Sequence, residues 1–362
     1  MAAIRRSASR WRRLLSHLLV TTCLAAAPPR SRPRHRAPRL ALSTVPVGIF
    51  TSDVCIGHDP GGMLGMHPEK PERLSTLLTA MRSTWRAQFG DAMLVYEPEA
   101  DVTREQLLRV HSQSHIDLVN SAYERARKWP LPVNLDSDTI VSKGTEAAAT
   151  RAAGLVVAAV DSVFGYGHPN RAFVMVRPPG HHAESNRPMG FCVYNNVLVG
   201  VAHAQAVHGL GRVAILDFDV HHGNGDENIA WNDASRLYVS SHQSPFFPGT
   251  GLVAGRGGAY GNIINAPLPA GAGSDAFRGV WASQLLPAVA AFEPDAIFVS
   301  AGFDAHAEDP LASCALTEDD FAWITSEIVK LGRPIVSVLE GGYNVNALER
   351  AVRAHVGALI HS

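Results

Sequence analysis

A buried strand followed by metal-binding side chains is the strongest chemical signal in this sequence. Residues 213–216 form an apolar run typical of a strand in a parallel sheet, and Asp219 and His221 come shortly after it. Successive side chains of an extended chain point to opposite sides, so these two, which are two positions apart, point to the same side. A catalytic zinc site has three protein ligands and one open position. The pair therefore predicts two of these ligands and favours metal-assisted hydrolysis.

Asp304 is the candidate for the third ligand, because it follows another apolar strand candidate. Ligands bind beyond the carboxyl ends of parallel strands, where loops that are distant in sequence meet. Two carboxylates and one imidazole suit Zn²⁺, although the same set also accepts Fe²⁺. Zinc lowers the pKa of a coordinated water to about 7. A single aspartate is usually a helix cap or a loop hydrogen bond, but candidates at corresponding strand ends favour a metal site.

Two adjacent histidines, His181 and His182, follow a Pro-Pro-Gly turn. One could act as general base on a water, and one could protonate a leaving amine. Each imidazole needs a partner on its other nitrogen, and Asp217 and Asn224 lie close enough to the metal ligands in sequence to supply it. A surface histidine pair is the alternative; the rigid turn favours the catalytic interpretation.

Aromatic residues complete the chemical pattern. Tyr343 follows two glycines, which allow close approach to a ligand, so its phenol could donate to a carbonyl oxygen that gains charge. Gly190, Phe191 and the pair Phe246 and Phe247 could line a narrow apolar channel for an aliphatic chain. Ordinary core packing is the alternative for each of these aromatic residues.

The elements that must position these residues alternate along the chain. Strands are predicted at residues 47–50, 172–176, 212–218, 237–241, 262–267, 296–300 and 334–339. Helices are predicted at residues 71–89, 103–110, 114–127, 142–164, 195–207, 275–292, 318–331 and 345–359. This alternation indicates an α/β fold with a mostly parallel sheet and helices on both faces.

The charge distribution separates a basic leader from an acidic body. Residues 1–40 contain ten Arg and no acidic residue, which leaves 22 basic and 33 acidic residues and a net charge of −11 for the remainder. Residues 1–43 are therefore predicted to be a targeting leader, cleaved or disordered, and residues 44–362 one catalytic domain. The apolar run 14–27 inside the leader favours a bipartite plastid signal, and a mitochondrial signal is the alternative. The acidic body predicts no direct nucleic-acid binding, and no membrane association is expected.

With these motifs the sequence resembles the histone deacetylase family of zinc amidohydrolases, in particular class II deacetylases, acetylpolyamine amidohydrolases and acetoin-utilisation proteins. The matching motifs occur in family order from about residue 47 onward: His67-Pro-Glu-Lys-Pro-Glu-Arg73, Arg177-Pro-Pro-Gly-His-His-Ala183, Gly190-Phe-Cys192, Asp217-Phe-Asp-Val-His-His-Gly-Asn-Gly225, Phe247-Pro-Gly-Thr-Gly251, Ser300-Ala-Gly-Phe-Asp304 and Glu340-Gly-Gly-Tyr343. The resemblance implies the arginase/deacetylase fold, a three-layer α/β/α sandwich around a mostly parallel sheet of about eight strands.

The resemblance also implies a role for each matching residue. It implies one Zn²⁺ per chain on Asp219, His221 and Asp304, a catalytic dyad of His181 and His182, and a carbonyl-polarising Tyr343. The other implied roles are Asp217 as partner of His181, Asn224 as partner of His182, Asp217 and Ser240 as ligands of a K⁺ ion, Gly190, Phe191 and Phe247 as channel residues, and Arg73 as an inner-pocket arginine.

The sequence departs from the family pattern at a few positions. Asp226 and Glu227 stand where Thr and often Gln are usual, which predicts tuning of the site without loss of activity. Leu311 stands where the polyamine-specific branch has a rim Glu, so it favours acetyl-lysine or a neutral small amide as substrate. Asp136 or Asp138 is the candidate for a rim acid that holds the substrate backbone.

The leading hypothesis is a zinc-dependent deacetylase that releases acetate from acetyl-lysine on organellar, non-histone proteins. A deacetylase of small acetylated amines is the nearest alternative, and an inactive acyl-lysine-binding scaffold is the alternative from another class. A manganese ureohydrolase of the arginase type is disfavoured, because residues 217–221 read Asp-x-Asp-x-His and not Asp-x-His-x-Asp. The oligomeric state is left open.

Overall fold

The computed structural model describes residues 45–61, 67–129, 131–166 and 168–362. The predicted leader, residues 1–43, lies outside the described residues. The strands of the described part are β1 Val47–Thr51, β2 Met93–Tyr96, β3 Val133–Asn134, β4 Ile140–Val141, β5 Arg171–Met175, β6 Val213–Asp217, β7 Arg236–Gln243, β8 Gly255–Gly257, β9 Ile263–Leu268, β10 Ala296–Ala301 and β11 Ile335–Leu339.

The α-helices of the same residues are α1 Glu72–Ala80, α2 Arg86–Phe89, α3 Arg104–Leu108, α4 Gln113–Lys128, α5 Thr145–Val160, α6 Asn196–His208, α7 Asn224–Ala230, α8 Ser274–Val280, α9 Leu286–Phe292, α10 Glu318–Lys330 and α11 Val345–His361. Three of them continue into five-residue π-helical segments, at Met81–Trp85, Asp161–Gly165 and Trp281–Leu285. The long helices predicted at 71–89 and 275–292 are therefore present, and each contains one of these π-helical segments.

One nine-stranded sheet holds these elements together, in the order β2-β1-β5-β11-β10-β6-β7-β9-β8. All neighbouring pairs in it are parallel except β8 with β9. The central strands β6, β10 and β11 are buried along their whole length, which explains their predominantly apolar sequences. The short edge strands β2 and β8 were not predicted: β2 is an apolar run of only four residues, and β8 reads Gly-Arg-Gly.

Helices cover both faces of the sheet. On β10, Phe298 faces Gly200 of α6, where an added Cβ would lie 3.1 Å from the phenylalanine ring. The next residue, Val299, is in register with Ser337 of β11, whose hydroxyl lies 2.9 Å from His355 Nε2 of α11. Since successive strand residues point to opposite faces, α6 and α11 cover opposite sides. The predicted three-layer α/β/α architecture is confirmed.

The helical stretch Thr145–Gly165 has the length and hydropathy that would suffice for a membrane span, and it is the one such helix in the described part of the chain. Most of its apolar window is buried inside the fold. Ala152, Val156 and Val160 belong to the buried core. Packing against other elements therefore accounts for its apolar composition.

Candidate active site

The predicted site residues lie at one edge of the sheet. Five adjacent strands, β5, β11, β10, β6 and β7, end there in parallel. His181 and His182 follow β5, Tyr343 follows β11, and Asp304 follows β10. Asp217 ends β6, and its register partner on β7 is Ser240. Parallel strands bring their carboxyl ends together, so segments that are far apart in sequence share one crevice.

Asp219, His221 and Asp304 converge as a group that could hold a metal ion, with ligand atoms within 4.8 Å of one another. His221 Nδ1 lies 3.0 Å from Asp219 Oδ1 and 3.1 Å from Asp304 Oδ2. Both carboxylates are fully buried. Burial and the adjacent Asp219 charge raise the pKa of Asp304 to about 7. Two buried carboxylates that face one imidazole are better satisfied by a shared cation, so the donor set fits Zn²⁺.

Two glycines make room for these carboxylates. A Cβ on Gly302 would lie 1.9 Å from Asp219 Oδ2, and a Cβ on Gly341 would lie 2.0 Å from Asp304 Oδ2. The amide of Gly341 also donates to Asp219 Oδ2 at 2.8 Å. Any side chain at either position would displace a carboxylate, which explains the glycines at these positions of the motifs that end at Asp304 and Tyr343.

The two histidines have different partners. His181 Nδ1 lies 3.2 Å from Asp217 Oδ2, whereas His182 Nδ1 lies 2.9 Å from Asn224 Oδ1. An amide oxygen can only accept, so it fixes a proton on Nδ1 of His182 and leaves the other ring nitrogen free of one in the neutral form. The two rings are 4.0 Å apart, centroid to centroid.

The charges around the histidines separate their pKa values. Burial opposes the charged form of His181, but Asp219 and Asp217 outweigh it and hold the pKa well above its usual value. Burial and the nearby His181 and His221 hold the pKa of His182 well below its usual value. The arrangement therefore offers one protonated and one neutral imidazole side by side, as acid–base chemistry at one centre requires.

Tyr343 lies where the chain turns at Gly342, which has a φ of 123°. Burial raises the pKa of the phenol well above its usual value, so it stays a hydrogen-bond donor at neutral pH. The guanidinium carbon of Arg73 lies 4.9 Å from the centroid of the Tyr343 ring. Arg73 itself is fully buried and donates through Nε to the Gly342 carbonyl at 2.6 Å. It therefore supports the turn that carries Tyr343.

A cavity of about 200 Å³ opens onto these groups. Its lining residues are Asp138, His182, Gly190, Phe191, His221, Phe246, Phe247, Leu311 and Tyr343. The predicted channel residues and the predicted rim residue Leu311 thus come together, with mainly aromatic and aliphatic walls. Of the two candidate rim acids, Asp138 lines the cavity and accepts from the Gly190 amide at 3.0 Å, whereas Asp136 lies 3.4 Å from Arg187.

The predicted potassium ligands stand side by side on β6 and β7. Asp217 Oδ2 accepts from the Tyr238 hydroxyl at 3.0 Å, and Ser240 Oγ lies 2.9 Å from His242 Nδ1. Both Asp217 and Ser240 are fully buried. Potassium binding at this position stays a prediction.

Several supporting groups carried no role in the sequence analysis. Glu340 Oε2 accepts from the amides of Gly180 at 2.6 Å and His181 at 3.1 Å, and so anchors the histidine turn. Asp309 Oδ2 accepts from the Tyr343 amide at 2.6 Å, while its Oδ1 accepts from the amide of Leu311 at 3.0 Å. Glu340 stood inside a recognised motif, but nothing in the sequence linked Asp309 to Tyr343.

A buried ionic cluster lies next to the site and is joined to it through Arg73. Glu69 pairs with Arg177 at 2.5 Å and with Arg73 at 2.9 Å, and His58 Nε2 lies 3.2 Å from the same carboxylate. All four side chains are buried, so the charges of Glu69, Arg73 and Arg177 depend on their partners. Arg73 therefore connects this cluster to the turn that carries Tyr343.

Asp226, one of the departures from the family pattern, is also buried at the site. It accepts from Asn195 Nδ2 at 2.7 Å and from the Ser300 hydroxyl at 2.6 Å. Burial and the nearby Asp217 raise its pKa to about 7. The neighbouring Glu227 instead accepts from Asn265 at 2.7 Å and lies 3.0 Å from His222 Nε2.

Comparison with known proteins gives a consistent match. The histone deacetylase domain family matches residues 67–359. "Histone deacetylase 14, chloroplastic" of Arabidopsis thaliana is 34% identical over 326 residues, which are 86% of this chain and 76% of that protein. "Histone deacetylase 10, chloroplastic" of Oryza sativa subsp. japonica is 35% identical and is matched over 84% of this chain and 71% of its own length. The crystal structure of the HDA15 HD domain superposes with a TM-score of 0.80 at 32% identity and covers 88% of each chain.

Proposed function

This chain belongs to the histone deacetylase family, and we propose that it is a zinc-dependent deacetylase of acetyl-lysine on organellar, non-histone proteins. One observation carries the proposal: three metal-binding side chains, two histidines with different partners and a buried tyrosine surround a single apolar cavity. An acetylated amine on an aliphatic chain is the substrate that these groups suit.

Asp219, His221 and Asp304 would hold the zinc ion. When bound, zinc supplies a Lewis acid that makes a water nucleophilic near neutral pH and polarises the acetyl carbonyl. The side chains already meet at distances near 3 Å, with the remaining oxygens tied to backbone amides of Gly341 and Val220. Such outer hydrogen bonds orient ligands before the metal arrives.

His182 is the general base in this proposal, because its neutral partner Asn224 does not stabilise a charged imidazole. It takes the proton of the attacking water at the ring nitrogen that faces away from Asn224. His181, which Asp217 keeps charged, supports the negative charge that develops and gives a proton to the leaving amine. Each histidine therefore performs the step that its partner permits.

Tyr343 donates its phenol proton to the acetyl oxygen as that oxygen gains charge. The Asp309 carboxylate binds the Tyr343 amide and the buried Arg73 guanidinium binds the Gly342 carbonyl, so both fix the turn that carries the ring. Phe191 packs edge-on against Tyr343, with ring centroids 5.9 Å apart, and helps to keep water out. A donor held in place in this way needs little reorganisation during the reaction.

The proposed location is a plastid. Two relatives with 34% and 35% identity are named chloroplastic, and residues 1–43 of this chain have the Arg-rich, acid-free composition of a transit peptide. A potassium ion on Asp217 and Ser240 is part of the same proposal, as an ion that would stiffen the end of β6 and β7.

The proposed function is tested by the ratio of kcat/KM values for an acetyl-lysine peptide and an N-acetylated small amine. We expect a preference for the peptide. Tyr343→Phe is expected to lower kcat about 10²- to 10³-fold on both substrates, because one donor to the developing oxyanion is lost. Tyr260→Phe, at a tyrosine that is 64% exposed, is the matched control and should change nothing. A preference for the small amine would assign the enzyme to metabolite deacetylation instead.

Leu311 at the cavity mouth gives a second prediction, on substrate charge. Leu311→Glu is expected to raise kcat/KM for N-acetylated polyamines about fivefold relative to the acetyl-lysine peptide, because a rim carboxylate attracts the cationic tail. Steady-state kinetics in low salt measures the ratio of the two kcat/KM values. The increase in this ratio caused by Leu311→Glu should be smaller at high salt. Leu118→Glu, on an exposed helix face, is the control. An unchanged ratio would show that the tail of the substrate does not pass Leu311.

A further inference from the structure

A second group of metal-binding side chains lies outside the active site. It consists of Asp161, His203 and His208, whose ligand atoms lie within 4.8 Å of one another. The three residues are named here the α5–α6 cluster. None of them belongs to a motif of the sequence analysis, and none takes part in the proposed reaction.

The fold places this cluster at the sheet edge opposite to the active site. Asp161 begins the π-helical segment that follows α5, before the chain enters β5. His203 and His208 lie in the last turns of α6, before the chain enters β6. Both helix ends thus stand next to the beginnings of parallel strands, whereas the active site lies where the strands end.

The geometry of the cluster resembles a ligand set more than a surface ion pair. His203 Nε2 and His208 Nε2 each lie 2.8 Å from the same oxygen, Asp161 Oδ1. The side chains of His203 and His208 are 7% and 14% exposed, while that of Asp161 is 46% exposed. The two imidazoles are therefore held by the protein, and one side of the cluster is open to solvent for entry of an ion.

A neighbouring arginine competes with a metal ion for this cluster. The Nη1 atom of Arg109 lies 3.3 Å from His203 Nδ1, and the same guanidinium pairs with Glu105 at 2.9 Å. With Arg109 donating to Nδ1, the proton of His203 sits on Nε2. Metal binding at Nε2 moves that proton to Nδ1, so Arg109 must turn away toward Glu105 and solvent.

We propose that Asp161, His203 and His208 form a second, non-catalytic site for a divalent metal ion such as Zn²⁺. Two imidazoles and one carboxylate are ligands that zinc accepts, with a further position for water. A metal here ties the end of α5 to the end of α6, two helices that lie on the same layer of the fold. The proposal is independent of the function of the main site.

The test is a count of bound zinc. The full chain is stripped with a chelator, dialysed against zinc chloride, and its metal content measured by mass spectrometry. We expect two zinc ions per wild-type chain and one per chain in His208→Ala, with unchanged deacetylase activity. Asp304→Asn should also bind one zinc ion per chain, and the double variant with Asp304→Asn and His208→Ala should bind none. His361→Ala removes another histidine from the end of a helix and should keep both ions.

Arg109→Gln gives a readout that a purely structural histidine pair would not produce. Because the variant lacks the guanidinium that competes with the metal, zinc should bind the α5–α6 cluster several-fold more tightly in calorimetric titration. Zinc content that is the same in the wild type, in His208→Ala and in His203→Ala would overturn the proposal, whether the wild-type chain binds one ion or two. The α5–α6 cluster would then be a hydrogen-bonded triad that binds no metal.

Discussion

Asp304→Asn is expected to lower deacetylase activity at least about 10³-fold and to reduce the bound zinc by one ion per chain. Asn keeps the shape of the side chain and can still accept the hydrogen bond of 2.9 Å from the Val220 amide. It loses the negative charge that faces His221 at 3.1 Å, and with it one of the three proposed metal ligands. Activity assays and zinc content measure both effects.

The stability of the metal-free chain should change in the opposite direction. Burial and the Asp219 charge raise the pKa of Asp304 to about 7, above the value of an unfolded aspartate. The unfolding free energy that this group contributes is fully present below the unfolded pKa and is lost as pH rises through about 7. In chelator at pH 8, Asp304→Asn should therefore melt at a higher temperature than the wild type.

Asp319→Asn, at an exposed position of α10, is the matched control for both measurements and should behave as the wild type. If Asp304→Asn retained zinc and most of its activity, Asp304 would not be a ligand. A lower melting temperature in chelator would mean that the carboxylate is satisfied in the metal-free state by a partner other than a metal.

His182→Ala is expected to lower kcat about 10²- to 10⁴-fold with little change in KM, because the variant lacks the residue that we propose as general base. Zinc content should stay unchanged, which separates the loss of a base from the loss of the metal. Asn224→Ala should have a smaller effect, about 10- to 100-fold, since the imidazole remains but its orientation is no longer fixed. Stopped assays at saturating peptide measure kcat for each variant.

His181→Ala provides the comparison within the pair. In the proposed roles, its loss removes the charged imidazole that Asp217 supports, and the defect should be largest for substrates with a poor leaving amine. If His182→Ala kept kcat within tenfold of the wild type while His181→Ala abolished it, the roles would have to be exchanged.

The sequence by itself determined the local geometry of the site. Asp219 and His221 stand two apart on extended chain, so their shared direction follows from the backbone alone. The apolar runs of β6, β10 and β11 predicted buried parallel strands, and the structure has all three. Such features depend on neighbours in the chain, and the sequence records them directly.

Only the tertiary structure decided which distant groups meet. Asp309 meets Tyr343 because β10 and β11 are neighbours in the sheet, and Asp226 meets Ser300 because β6 lies beside β10. The α5–α6 cluster joins Asp161 to histidines more than forty residues later, through the packing of two helices. Strand order and helix packing follow from burial summed over the whole chain, so no local pattern of residues contains these contacts.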